Sequence, residues 1–316
     1  GRVMAWRGAG RVAWSPRDTV SLMKTGFSGN PVGFRSVKLI AEAAAALPLI
    51  CQDAERRYEV HPVLRLLSRP NAAQGRAELL EALYAQLLLS GNAYVEAVSP
   101  EGDTPEELHV LRSDRMGLVP GPDGWPIAYD YTVGAKKPRF DARGLSPICH
   151  IKLFHPQDQF ERLQAEMESH HQGARNAGRP MLLEGGLDWK PMGFSPSDME
   201  FQKTKDAAAR EIALAFGVPP MIMGIPGDAT YANYAEANRA FYRLTVLPLA
   251  GKVLSSLSHW LAGYSGEVVE LRPDLDQVPA LSVERDAQWR RVAEAEFLTP
   301  AEKRAMLGLP RLSEDQ

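Results

Sequence analysis

The spacing of apolar positions changes along this chain, and each change marks a different kind of element. Residues 1–29 mix Gly, Arg, Ser and Trp with no sustained period, which predicts an extended arm. Asn30-Pro31 then supplies a helix start, Asn as the N-cap and Pro at the first helical position. Val37, Ile40, Ala41, Ala44 and Leu47 follow at three- and four-residue spacing, one apolar face that Pro48 closes. A second helix is predicted over Arg76–Ser90, with Leu79, Leu80, Leu83, Leu87 and Leu88 as its buried stripe and Gly91 as its stop. From Asn92 the period shortens to two. NAYVEAV, ELHVLR, MGLVP, IAYDYTV and PICHIKLF are short alternating or apolar runs between Gly, Pro and Asp turns, and PGPDGWP reads as a hairpin turn. Residues 92–155 are therefore expected to form an antiparallel sheet packed on the two helices.

Helical spacing returns in QFERLQAEMESHHQ, a charged helix over Gln159–Gln172. NAGRPMLLEGGLDWKPM predicts two short strands joined at Gly185-Gly186. Ser195-Pro196-Ser197-Asp198 opens a further helix that reaches Phe216, a span of roughly 30 Å at 1.5 Å per residue. Gly217 and the pair Pro219-Pro220 end it firmly, ahead of a Met-rich run and the loop IPGDATYANYAE. A longer helix is expected from Asn233 to Leu261, kinked at Pro248. EVVELRPDL reads as a strand. The chain closes in a helix with a Thr299-Pro300-Ala301-Glu302 capping box and a stop at Gly308 and Pro310. The class is α+β.

Composition narrows the function. The 316 residues are 45% hydrophobic and 24% charged, the make-up of a globular protein, with a formal net charge of -3. That balance argues against a basic groove that grips nucleic acid, though not against a protein that nucleic acid passes. Cys51 and Cys149 fit neither metal-ligand spacing nor a disulfide framework and read as buried thiols. No apolar run approaches the roughly 20 residues of a membrane span, and no signal-peptide pattern opens the sequence, so a soluble, intracellular product is expected.

Candidate chemistry is sparse. There is no phosphate-binding GxxxxGK[ST] loop. GFSPS at 193–197 departs from a nucleophile elbow where Ser197 replaces Gly, so Ser195 reads as a helix cap. His170 and His171 are adjacent on a helix, about 100° apart, and cannot share one ion. His150 and His155 fall on opposite faces of a strand. Asp274 and Asp276 share a face and invite a cation, but Pro273 beside them favours an ordinary turn. No catalytic group, metal or cofactor is predicted. The helix ending at Phe216 is different in kind: Lys203, Lys205, Asp206, Arg210 and Glu211 lie on it against an Ala-rich remainder. This is either a solvated face or a helix packed against copies of itself with opposite charges meeting.

The order of HPVLRLLSRPN (61–71), LLLSGNAYVEAV (87–98), GRPMLLEGGLDWKPMGFSPSDMEF (178–201), REIALAFGVPPMIMG (210–224) and TYANYAEANRAFYRLTVLPL (230–249) resembles the portal proteins of long-tailed bacteriophages and phage-like gene transfer agents. FLTPAEKRAMLGLP (297–310) is similar to that family's ending. The resemblance spans residues 30–312 and implies a homo-oligomeric ring, typically of twelve subunits, at one capsid vertex of the virion, assembled in the bacterial cytoplasm. Its implied partners are double-stranded DNA passing through, an ATP-hydrolysing large terminase, a head-tail adaptor and the major capsid protein, with no membrane. It implies a wing over 30–156, a clip over 157–194 and a stem helix over 195–218. A tunnel loop over 219–232, a long kinked helix over 233–265 and a wing return strand with crown-like C-terminal helices over 266–316 would follow.

On that mapping Gly217, Pro219 and Pro220 form a hinge, and Asp228, Thr230, Tyr231 and Asn233 face the DNA. Lys203, Lys205, Asp206, Arg210 and Glu211 meet neighbouring subunits along the stem, and Arg179, Glu184 and Trp189 mark the clip surface. The low net charge then makes sense: each phosphate neutralised by a basic lining adds affinity by counterion release and would stall a sliding duplex. One departure stands out. The family places a first stem helix between a strand like CHIKLF and the clip, and here His155-Pro156-Gln157-Asp158 runs straight into QFERLQAE. Two other readings compete, a capsid-tail connector ring with no part in moving DNA and a hydrolase using Ser195 or the histidines.

Overall fold

A computed structural model of the chain describes residues 27–99, 104–122, 126–153, 198–225 and 231–309. Helix α1 (Pro31–Ala45) begins as its cap dictates: the Asn30 side-chain oxygen accepts hydrogen bonds from the amides of Val32 and Gly33, both at 3.0 Å. All five residues of its expected apolar face are buried. Pro48 ends it, and the chain passes directly into β1 (Leu49–Gln52). A tight turn organised by Asp53 leads to β2 (Arg57–Tyr58). The Asp53 carboxylate accepts from the amides of Glu55 and Arg56 and from the Tyr58 hydroxyl, and that hydroxyl is the main reason its pKa falls to about 2.

Helix α2 (Pro62–Ser68) is capped by a buried histidine. His61 Nδ1 accepts from the Val63 amide at 3.2 Å, so the ring proton sits on Nε2, 2.9 Å from the Glu267 carboxylate. Helix α3 (Arg76–Ser90) uses Glu78, whose carboxylate accepts from the Gly75 amide at 2.9 Å, and ends at Gly91 with φ +71°. Leu79, Leu80, Leu83 and Leu87 of its expected stripe are buried, joined by Tyr84, while Leu88 is half-buried, and α3 packs across α1.

The expected single sheet over 92–155 divides into two. Strands β3 (Asn92–Val98), β4 (Glu107–Leu111) and β8 (Ile148–Lys152) form one antiparallel sheet in the order β4-β3-β8. Strands β5 (Met116–Pro120), β6 (Pro126–Tyr131) and β7 (Arg139–Asp141) form the other, in sequence order. A 3₁₀ turn at Ser113–Arg115 separates them. The Ser113 hydroxyl donates to the Asn92 carbonyl at 2.7 Å, which directs the chain off the first sheet. Tyr94, Leu111, Tyr129 and Ile148 make a small second core at the junction.

The remaining elements are α4 (Asp198–Ala215), α5 (Tyr231–Phe241), α6 (Leu247–Ser265), β9 (Glu270–Pro273), α7 (Ser282–Glu294) and α8 (Pro300–Met306). Strand β9 pairs antiparallel with β1, setting Cys51 opposite Leu271, and the third sheet runs β2-β1-β9. Helix α6 packs on β9 and also meets β8 and α1, and its Leu249, Ala250, Val253, Leu254, Leu257 and Leu261 join the main core. The C-terminal capping box forms as read, with Thr299 and Glu302 bonded reciprocally. Gly308 then closes α8, and its carbonyl accepts from the Arg272 guanidinium of β9.

Candidate functional site

Over residues 204–216 helix α4 lies largely in solvent, with only Ala213 buried. Lys205 and Glu211 are exposed, while Asp206 and Arg210 are half-buried and share a face at i, i+4 spacing. Thr204, Asp206 and Arg210 are each engaged by a partner. Lys203 lies on the same helix.

The helix ends in a complete Schellman motif. The Val218 amide donates to the Ala213 carbonyl at 2.8 Å and the Gly217 amide to Leu214 at 2.9 Å, with Gly217 at φ +70°. Ala213 and Val218, the pair such a motif brings together, are both fully buried. The next residues repeat the device. Pro219, Pro220 and the Met-rich run form one helical turn, in which the Pro220 carbonyl accepts from Met223 and Ile225 and Gly224 sits at φ +73°. Ile222 and Met223 pack on the main core. The stretch around Gly217, Pro219 and Pro220 is thus a doubly capped corner anchored by Val218.

That corner rests on the long helix. Between α5 and α6 the backbone widens into a π-turn, Tyr242–Val246, and the Leu247 amide donates to Tyr242 five residues back. Pro248 explains the break: it has no N–H for the Leu244 carbonyl, and its ring crowds that position. The expected disruption at Pro248 therefore appears as a wide turn one residue ahead of it. Thr245 in this turn donates from Oγ1 to the Gly217 carbonyl at 2.7 Å. Arg239 and Arg243 approach Glu284 of α7 at 3.8 and 3.3 Å.

Asp228 and Thr230 lie outside the described residues, as do Arg179, Glu184, Trp189, Ser195, His155, His170 and His171 and the expected elements over 159–194. Tyr231 is the first residue of α5, which starts two residues before the expected Asn233; Asn233 is exposed. The structure thus places the corner and the charged residues of α4 on consecutive elements. Thr245 was missed. Its signal was the five-residue gap between Phe241 and Val246 in an apolar stripe otherwise spaced by three and four, followed by a proline.

Elsewhere the candidate residues have local partners. Asp274 caps a 3₁₀ turn and binds Arg57 at 2.9 Å and Gln277 at 2.7 Å, while Asp276 pairs with Arg285 at 2.6 Å. The aspartates are turn and ion-pair residues. His150 stacks on Tyr94 with ring centroids 4.4 Å apart, and burial holds its pKa down to about 4. Cys51 and Cys149 are buried, which pushes their thiols up to about 11 and about 12. Among the described residues no cluster of three or more His, Cys, Asp or Glu is placed to hold a metal, and no helix is long and apolar enough to cross a membrane.

These features define an α+β scaffold that carries a long charged helix on a core-anchored corner. The model of the phage portal protein family matches residues 31–159 and 154–308, two segments that overlap at 154–159. A protein of Rickettsia bellii is 33% identical over 341 residues, covering 90% of this chain and 88% of its own. A chain in the neck of an empty gene transfer agent particle, computed with C6 symmetry, is 64% identical with a TM-score of 0.74, covering 96% of this chain and 97% of that one. Its counterpart in the native particle neck, computed with C12 symmetry, is 62% identical with a TM-score of 0.71 at the same coverage. The chain belongs to the phage portal protein family, and it is a portal protein of the kind found in phages and gene transfer agents.

Proposed function

We propose that this chain forms a twelve-subunit ring at one vertex of a phage-like particle, serves as the conduit for DNA entry and exit, and docks the terminase and the head-tail adaptor. The observation that carries the reading is the 62–64% identity, over 96% of the chain, to chains in necks of six- and twelve-fold symmetry. Cyclic symmetry requires two different lateral surfaces on each subunit. The exposed flank of α4, with Lys205 and Glu211 outward and Leu214 63% exposed, suits such a contact. Lys203, Asp206 and Arg210 are assigned to the same stem seam.

In this reading residues 30–156 with 266–316 form wing and crown, 157–194 the clip, 195–218 the stem and 219–232 the tunnel loop, with 233–265 leading back to the wing. Asp228, Thr230, Tyr231 and Asn233 face the duplex, and Arg179, Glu184 and Trp189 meet the docking partners. Gly217, Pro219 and Pro220 are the fixed corner of the hinge. The protein performs no catalysis of its own; hydrolysis that drives DNA belongs to the terminase.

Native mass is the first test. A ring of a dozen copies gives a species of roughly 400 kDa by mass photometry. A chain that stayed at one or two copies with its capsid partners present would overturn the ring. Replacing Thr230, Tyr231 and Asn233 with Ala tests the conduit separately: packaged DNA should fall while rings still form. Unchanged packaging would leave a connector ring that does not handle DNA.

A further inference from the structure

We propose that Thr245 is a positioning residue, and that the π-turn exists to place its hydroxyl on Gly217, so that the long helix and not the stem helix sets the direction in which the chain leaves the corner. What that segment faces rests on the portal reading above; the positioning itself rests on geometry alone.

Three observations converge. Phe241 and Val246 are both buried in the main core although they are five residues apart. In an unbroken α-helix, residues five apart point about 140° from one another, so Thr245 would take the core position and Val246 would turn away. The extra residue of the π-turn reverses this, keeping both apolar residues inward and leaving Thr245 on the flank. From there its Oγ1 donates to the Gly217 carbonyl at 2.7 Å.

The receiving side is shaped for this approach. Gly217 has φ +70°, and a Cβ added there would lie 2.5 Å from Thr245 Oγ1, so any side chain would push the threonine off. The contact fixes the peptide plane between Gly217 and Val218, whose amide completes the Schellman motif. The corner is therefore held from one side by its own cap and from the other by a residue 28 positions further on. The entry to the loop is tied to Thr245 and its exit, Tyr231, begins the same run of helix, so the two ends move together with 231–265.

The test is hydrogen exchange by mass spectrometry on the assembled protein, comparing Thr245→Val with Thr245→Ser. Losing one hydrogen bond of ordinary strength should speed exchange at Gly217 and Val218 about three- to tenfold in Thr245→Val, with Thr245→Ser at the wild-type rate. The native mass should be unchanged in both, and the exchange result stands whether or not the corner lies beside DNA. Unaltered corner exchange in Thr245→Val would overturn the proposal, as would Thr245→Ser exchanging as fast as the valine variant.

Discussion

His150 turns burial into a pH dependence that can be measured. Its ring lies on Tyr94 at 4.4 Å and meets the edge of Tyr129 at 5.7 Å, and Nε2 is 2.8 Å from the Asn92 side-chain oxygen. The Asn92 amide nitrogen donates to the Ser90 carbonyl at 3.2 Å, which turns its oxygen toward the ring and makes Nε2–H the donor. Burial first, and then the charge of Lys152, lower the pKa from 6.5 to about 4. The unfolded chain therefore takes up this proton at higher pH than the folded one. Stability from the neutral imidazole is complete above pH 6.5 and is lost as pH falls toward 4. At about 1.4 kcal/mol per pH unit the loss is on the order of 2–3 kcal/mol once residual solvent contact is allowed for.

The assay is urea unfolding at several pH values between 7 and 4, on the wild type and on His150→Phe. Phenylalanine keeps the stacking and cannot titrate, and the difference between the two curves cancels the carboxylates that titrate over the same range. At pH 7 the variant should be less stable by about 1 kcal/mol, because the Asn92 oxygen loses its donor. The gap should close on acidification and reverse before pH 4. Parallel curves across the range would refute the burial argument, since they would mean that His150 titrates alike in both states.

Gly217→Ala should cost about 1–2 kcal/mol, from the positive φ and from displacing Thr245, and pairing it with Thr245→Ala should recover part of that in thermal unfolding. Asn30→Ala removes the oxygen that accepts two amides of α1 and should lower stability by about 1 kcal/mol, with Asn30→Asp close to wild type in the same unfolding curves. Leu83→Ala, at a position with no exposed surface between α1 and α3, should cost about 2–5 kcal/mol by chemical denaturation. Cys51 and Cys149 should resist a thiol-specific disulfide reagent at pH 8 in the folded protein and react in denaturant, whereas rapid native labelling would contradict their burial.

What the sequence made legible was local. Helices α1 and α3 carry their caps, stripes and stops within about 15 residues, so spacing and capping chemistry define them without the rest of the fold. Strand β1 fails the same test. Leu49–Gln52 is a four-residue run whose partner β9 lies more than 200 residues away, and nothing local in LICQ distinguishes it from the loop after a helix. The division of residues 92–155 into two sheets was hidden for a related reason. Alternation shows that strands exist, but the separation comes from the 3₁₀ turn and from Ser113 binding Asn92, a contact between residues 21 apart.

The corner after α4 shows why function was harder to see than fold. Its stop signal, Gly217 with Pro219-Pro220, was plain, yet those residues say only that the helix ends. Where the chain goes next depends on Thr245, and Thr245 can act only because a π-turn removes it from the core face. A reactive centre announces itself in residue types at fixed spacing; a mechanical one is built from ordinary residues whose register matters, here a threonine and a proline three positions apart and a glycine 28 positions before the threonine. In such a chain the order of structural segments carries more functional information than any residue, which is why the portal resemblance was legible while its positioning contact was not.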